Sequence, residues 1–165
     1  MTTQPPLGRD WIAARIPHAG SMCLLDRIVA WGPDHIRCEA DGHGRPDHPL
    51  RAEGRLAAVC GIEYAAQATA AHAAVLHAGA ARPRMGYLAS VRKVEIHVAR
   101  LDVYPAPLAI EASRIGGDAG NVLYAFTVRA GEQVLLGGRA AVILDVPPDL
   151  PSGANDDSDN GSDNA

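Results

Sequence analysis

The stretch from His48 to Ala78, HPLRAEGRLAAVCGIEYAAQATAAHAAVLHA, constrains this chain most. A short polar loop leads into a long run of alanine, isoleucine, valine and leucine. Leu56 to Leu76 holds no proline and one glycine, Gly61. Alanine is the best helix former, so the run predicts a helix. At roughly 1.5 Å per residue, about 21 residues make a rod near 30 Å long. The rod is apolar almost all round, which is the pattern of a helix enclosed by other elements. Glu63, Gln67, His72 and His77 interrupt it, and alanine is a poor membrane residue, so a membrane span is the weaker reading. Glu63 and Gln67 lie four apart and share a helix face. A carboxylate inside an enclosed helix is costly unless it has a partner or a job.

The other segments show what encloses the rod. Residues 1–10 read as a loose arm, with Asp10 as the cap of a short helix from Trp11 to Arg15. Ile16 precedes Pro17 and must be extended. Leu24 to Trp31 and His35 to Ala40 form a hairpin about Gly32-Pro33-Asp34, with Ile36 and Cys38 on one face. Asp41 to Arg55 is a loop carrying His43, Asp47 and His48. Gly79 and Pro83 end the helix. Four strand-like segments follow: Met85 to Val98, Pro107 to Ile115, Asn121 to Ala130 and Gln133 to Val146. One antiparallel sheet, built from both ends of the chain, must curl around the helix, and a second subunit must cover what the sheet leaves bare.

Composition narrows the class. The chain has 165 residues, 47% of them hydrophobic with few aromatics, enough for one aliphatic core over residues 1–150. Residues 151–165 carry four Asp and no Lys or Arg; they are expected to be a disordered acidic tail. Without those four charges the net charge of −4 becomes zero, which argues against nucleic acid as partner. Cys23, Cys38 and Cys60 lack zinc or CxxC spacing and suit reduced thiols in a cytosol. No signal peptide is visible, so a cytoplasmic location is expected. Asp156 to Gly161 imitates the start of a calcium loop, but Ser stands at the third position and the glutamate is missing.

Three motifs in order carry a resemblance. Pro17-His18 is followed by Leu24-Leu25-Asp26-Arg27. His48-Pro49 lies ahead of the central helix. Glu63-Tyr64-Ala65-Ala66-Gln67 lies on it. Over roughly Ile16 to Val146 the chain resembles the hot-dog-fold beta-hydroxyacyl-acyl-carrier-protein dehydratases. It is closer still to the small dehydratase-like proteins of aryl-polyene clusters, which share the GIEYAAQ, GYLASVRKVE and LLGGRAAVIL wording. Two departures stand out. The family's His-Phe-Pro-Gly loop is here His48-Pro49-Leu50-Arg51, and its Pro-Gly before the helix is Ala57-Ala58.

The resemblance implies an α+β hot-dog fold, a curled antiparallel sheet around one long helix. It also implies dehydration of a 3-hydroxyacyl thioester, carried on the phosphopantetheine arm of an acyl carrier protein, to the trans-2-enoyl product in fatty-acid-like or polyene synthesis. His48 is the candidate base, since imidazole titrates near neutral pH. Glu63 is the candidate acid, because burial keeps a carboxyl protonated. Backbone N–H groups of Val59, Cys60 and Gly61 would face charge building on the thioester oxygen, so the reaction needs no metal or cofactor. By the resemblance, His48 faces Glu63 of another subunit, in a homodimer or in a heterodimer with a paralogous hot-dog chain. Gln67 would position Glu63 or the thioester arm.

The remaining candidates have plainer readings. His43 is a solvated loop residue, and His18 is structural, bonding nearby backbone or lining the tunnel mouth. His72 and His77, five apart, are off the spacing for a shared metal. Cys60 is a small core thiol rather than a nucleophile. Arg82, Arg84, Arg92, Lys93 and Arg100 form a basic segment that either steers an acidic carrier protein or is ordinary surface. Two rival functions remain: a hot-dog thioesterase, using a carboxylate and water, and a non-catalytic partner of an active paralogue.

Overall fold

The computed structural model describes residues 5–79 and 86–144. Its centre is α2 (Gly61–Leu76), preceded by one turn of 3-10 helix at Ala58–Cys60. The expected 21-residue rod is therefore 16 residues of α-helix with a tighter first turn. The reason lies at the start: Ala58 N–H donates to Ala99 O and Leu101 N–H to Leu56 O, so the chain before Gly61 is tied to a neighbouring loop rather than to its own next turn. Gly61 itself is tightly packed. A Cβ there would lie 2.4 Å from a methyl of the fully buried Leu136.

The sheet has seven antiparallel strands: β1 (Leu7–Gly8), β2 (Arg27–Trp31), β3 (His35–Ala40), β4 (Gly86–Ile96), β5 (Leu108–Gly117), β6 (Asn121–Ala130) and β7 (Gln133–Leu144). Their spatial order is β1-β2-β3-β5-β6-β7-β4, so the strand that follows the helix ends the sheet. Every strand from β2 to β7 packs against α2. Period-2 alternation aims the core inward. Ile36 and Cys38, Leu108, Ile110 and Ala112, and Val122, Tyr124, Phe126 and Val128 are all buried. This is the curled sheet around a central helix that the resemblance implies.

Several boundaries differ from expectation. Leu7–Gly8 is not part of a loose arm but pairs with Ile28 and Arg27. The first helix, α1, runs Arg9–Ala13 behind an extended Gly8, and Asp10 sits in its first turn rather than capping it. β2 begins at Arg27 instead of Leu24, because the Leu24 N–H bonds the Gln67 side chain in place of a strand. β4 stops at Ile96, short of Val98, and its alternation is broken by a bulge between Arg92 and Glu95, where Lys93 takes φ 50°. Met85, Arg82, Arg84, Pro83, Val146 and the expected acidic tail lie outside the described residues.

The helix is less enclosed than its sequence implies. Val59 at its start and Leu76 at its end are exposed, as are Tyr87, Leu88 and Ile96 on β4. No described helix is long and apolar enough to cross a membrane.

Candidate active site

Consecutive residues on a helix diverge by about 100°. Glu63 and Tyr64 therefore serve two separate cavities. Glu63 is partly exposed and lines one with Pro17, His18, Thr69, Tyr87 and Leu88. Its Oε1 accepts two hydrogen bonds, from Gln67 Nε2 at 3.0 Å and from His18 Nε2 at 2.9 Å. Among the described residues nothing donates to Oε2. The free oxygen is thus the one available to a ligand.

Gln67 is fully buried and its amide is fixed in orientation. Oε1 accepts the Leu24 N–H at 2.8 Å, while Nε2 donates to Met22 O at 2.7 Å as well as to Glu63. Leu24 N–H can only donate and Met22 O can only accept, so the amide cannot be turned over. Gln67 ties α2 to the segment after His18 and so aligns both sides of the Glu63 contact. Of the two expected partners of Gln67, Glu63 or a thioester arm, Glu63 is within hydrogen-bond reach.

His48 lies on the other side. It is buried and lines the second cavity with Arg9, Ser21, Arg45 and Tyr64. Leu50 N–H donates to its Nδ1 at 3.1 Å. The neutral ring therefore carries its proton on Nε2, which donates to the Tyr64 hydroxyl at 2.9 Å. Burial, with smaller contributions from His43 and Arg51, lowers the His48 pKa and keeps the ring neutral. Burial likewise raises the Tyr64 pKa. Both nitrogens of His48 are engaged within its own chain, and His48 and Glu63 of one chain are not in contact.

The loop that carries His48 is clamped by Arg51. Its guanidinium donates to Gly54 O at 2.8 Å and to Arg45 O at 3.2 Å, and lies 3.3 Å from Asp102. Asp102, nearly fully buried, also takes Arg100 and the Leu56 N–H. The Arg100 guanidinium holds the Asp102 carboxyl far below the usual carboxylate range. Arg51 stands where the resembled family has glycine, so a side-chain clamp replaces a small residue at this bend.

Other expectations change here. His18 bonds a carboxylate rather than backbone. His43 is buried, not solvated, and donates from Nε2 to Tyr104 O at 2.7 Å. His72 is fully buried between the Gly32 carbonyl and the Tyr124 hydroxyl, each 2.8 Å away. Gly32 O can only accept, so Nε2 carries the proton and Tyr124 donates to Nδ1. His77 bonds Ala73 O at the end of α2. Of the amides expected to face a thioester oxygen, Cys60 N–H donates to Ala57 O and Gly61 N–H turns back to Ala58 O, both within the 3-10 turn. The Cys60 thiol pKa is raised by burial, which favours the inert core thiol. In the basic segment Arg100 is paired with Asp102, while Arg92 stands opposite Arg139 on β7. No group of three His, Cys, Asp or Glu among the described residues could hold a metal ion.

The family model of the ApeP-like proteins, described as ApeP dehydratase, matches residues 11–151. The chain belongs to this family. The match covers most of the chain and agrees with the motif resemblance. Among solved structures, the ApeP-like chain is similar to the dehydratase heterocomplex ApeI:P from Xenorhabdus doucetiae. That match has TM-score 0.72 and 20% identity, over 82% of this chain and 91% of that one. A thioesterase from Haemophilus influenzae follows with TM-score 0.55 and 10% identity, over 87% and 93%. AziG from S. sahachiroi has TM-score 0.54 and 13% identity, over 70% and 87%. At these identities the likeness shows the fold, and the fold is the hot-dog. No curated protein matches the chain in sequence.

Proposed function

We propose that this ApeP-like chain dehydrates 3-hydroxyacyl groups held as thioesters on an acyl carrier protein, giving trans-2-enoyl thioesters in polyene or fatty-acid-like synthesis. The observation that carries this reading is the Glu63 carboxylate. It is held by two donors on one oxygen and left open on the other, inside a cavity walled by Thr69, Leu88 and the exposed ring of Tyr87.

Dehydration moves one proton off the carbon next to the thioester carbonyl and one onto the departing hydroxyl. Glu63 Oε2 is placed for the delivery, since a carboxylic acid there is free to donate while Oε1 stays anchored. The resemblance assigns the removal to His48 of a second subunit. β4, at the end of the sheet with Tyr87, Leu88 and Ile96 exposed, offers an edge for such a subunit. The similar structure in Xenorhabdus is a heterocomplex, which supports a paralogous hot-dog chain as partner here.

A second reading has its own support. The engaged nitrogens of His48, the spent amides at Cys60 and Gly61, and Ala57-Ala58 in place of Pro-Gly suit a non-catalytic partner of an active paralogue. One assay separates the readings. The purified chain, alone and assembled with a paralogous partner, is given 3-hydroxyacyl carrier protein, and the products are weighed. Loss of one water from the intact thioester by the chain alone supports the dehydratase. Water loss only with the partner, and unchanged when Glu63→Gln is placed in this chain, supports the partner reading. Release of free acid and free thiol indicates a thioesterase.

A further inference from the structure

Two departures from the family pattern meet at one carboxylate. Arg51 stands where that pattern has glycine, and Ala57-Ala58 stand where it has Pro-Gly. Asp102, in the connection between β4 and β5, is bound to both places. Its side chain is 3% exposed and lies 3.3 Å from the Arg51 guanidinium. It also accepts the Leu56 N–H, just ahead of Ala57, at 3.1 Å. Arg100 donates to both of its oxygens. A buried carboxylate with this many donors is fixed in place, and it fixes what it holds.

Arg51 carries that anchorage into the His48 loop. Its Nη1 donates to Arg45 O at 3.2 Å, the same carbonyl that accepts the His48 N–H, also at 3.2 Å. Its own N–H donates to His48 O at 3.1 Å. Its Nη2 donates to Gly54 O at 2.8 Å. Glu53 and Gly54 make the turn between Ala52 and Arg55, with φ 51° and 75°. A glutamate at positive φ is strained, and the bond to Gly54 O closes the turn that holds it there. One side chain thus ties down the loop on both sides of His48. Leu50 N–H lies inside that span, and it is the donor that fills His48 Nδ1. With Nδ1 filled, any proton the ring exchanges passes at Nε2.

We propose that Arg51, anchored by Asp102, is the positioning residue for His48: it holds the Leu50 N–H on Nδ1 and so presents Nε2 as the working end of the ring. The inference rests on the dehydratase reading and leaves its division of labour between His48 and Glu63 as it stands. Arg51 itself touches no reacting atom. A side-chain clamp orients the histidine here, where the family pattern has a glycine bend.

The test is made on the assembled protein, with enoyl product as the readout. Arg51→Met keeps the aliphatic stem and removes the guanidinium. It is expected to lower kcat roughly tenfold to a hundredfold, the effect of a misplaced catalytic group, with little change in KM. Arg51→Lys restores a cation that reaches fewer of the carbonyls, so its kcat is expected to fall between the two. Were Arg51→Met not to fold, Arg51→Lys carries the same measurements. Arg55→Met, exposed on the same turn and outside the clamp, is expected to keep wild-type kinetics. Imidazole nitrogen NMR gives a readout apart from turnover. His48 of the intact chain should show Nδ1 unprotonated and Nε2 protonated, and loss of the Arg51 guanidinium should mix the two tautomers.

Wild-type kcat in the Arg51 variants would overturn the inference and leave the dehydratase reading standing. A rise in KM alone would do the same, since it marks a charge that attracts an acidic carrier protein. So would His48 nitrogen signals indifferent to the change at Arg51. A wild-type protein that forms no enoyl product in any assembly would overturn the dehydratase reading, and this inference with it.

Discussion

Two neighbouring residues of one helix, Glu63 and Tyr64, face different surroundings. On the Glu63 side two donors converge on a single oxygen and the other oxygen is left open. On the Tyr64 side the hydroxyl and both nitrogens of His48 are accounted for. One side keeps an unspent group at a cavity wall, while the other has closed its hydrogen bonds internally. The difference teaches that a histidine is not a base by its place in a loop alone. Its partners decide which nitrogen holds the proton.

The sharpest way to break the Glu63 side is to remove its anchor. Gln67→Leu leaves the buried Leu24 N–H and Met22 carbonyl without partners, and each orphaned group costs on the order of 1–3 kcal/mol. A total near ~3 kcal/mol, read by urea unfolding, should come with a lower turnover in assembled protein. Retained stability with lost turnover would mean that Gln67 serves Glu63 alone.

A smaller effect is expected at the start of the helix. Gly61→Ala pushes a methyl against Leu136, which is fully buried and has little room to yield. Overpacking of this kind costs about 1–3 kcal/mol, and the better helix propensity of alanine returns up to about 1 kcal/mol. A net loss near 1–2 kcal/mol is expected in thermal melts.

On the Tyr64 side, Tyr64→Phe removes one acceptor and should cost about 1 kcal/mol. It also releases the Nε2 proton of His48, so the comparison predicts a change in the His48 imidazole NMR spectrum larger than any change in turnover.

The smallest effect is with pH. Burial lowers the folded-state pKa of both His48 and His72. A histidine lowered in the folded state contributes fully above its unfolded value, near ~6.5, and loses that contribution as pH falls below it. Each should lose less than about 1 kcal/mol between pH 7 and 6. The depressed carboxylates Asp41, Asp102 and Asp118 lose theirs only near and below ~4, so unfolding midpoints between pH 7 and 5 isolate the histidines.

Much of the architecture could be read from periodicity. The alanine-rich run gave the helix, and the alternation of Ile36 and Cys38 placed β3. β6, Asn121–Ala130, lies where its pattern put it. Boundaries slipped where a side chain took over a backbone bond, as Gln67 does at Leu24, or where a bulge such as that at Lys93 broke the alternation. At the site, Glu63, Gln67 and His48 were visible as residues, but their partners were not. His18 meets Glu63 from 45 positions away in the chain, and Arg51 finds Asp102 from 51 positions away, contacts that only tertiary packing creates. One local signal was available: Tyr64 follows Glu63 directly, so helix geometry alone sends it to a different wall.

The most direct measurement is the rate of enoyl product formation by the Glu63→Gln protein, assembled as the wild type is assembled. Glutamine keeps the size and an oxygen for His18 and Gln67 but cannot take or give the proton. The account predicts a rate at least about a hundredfold below wild type with an unchanged melting temperature. A rate equal to wild type would show that this carboxylate is not where the proton moves.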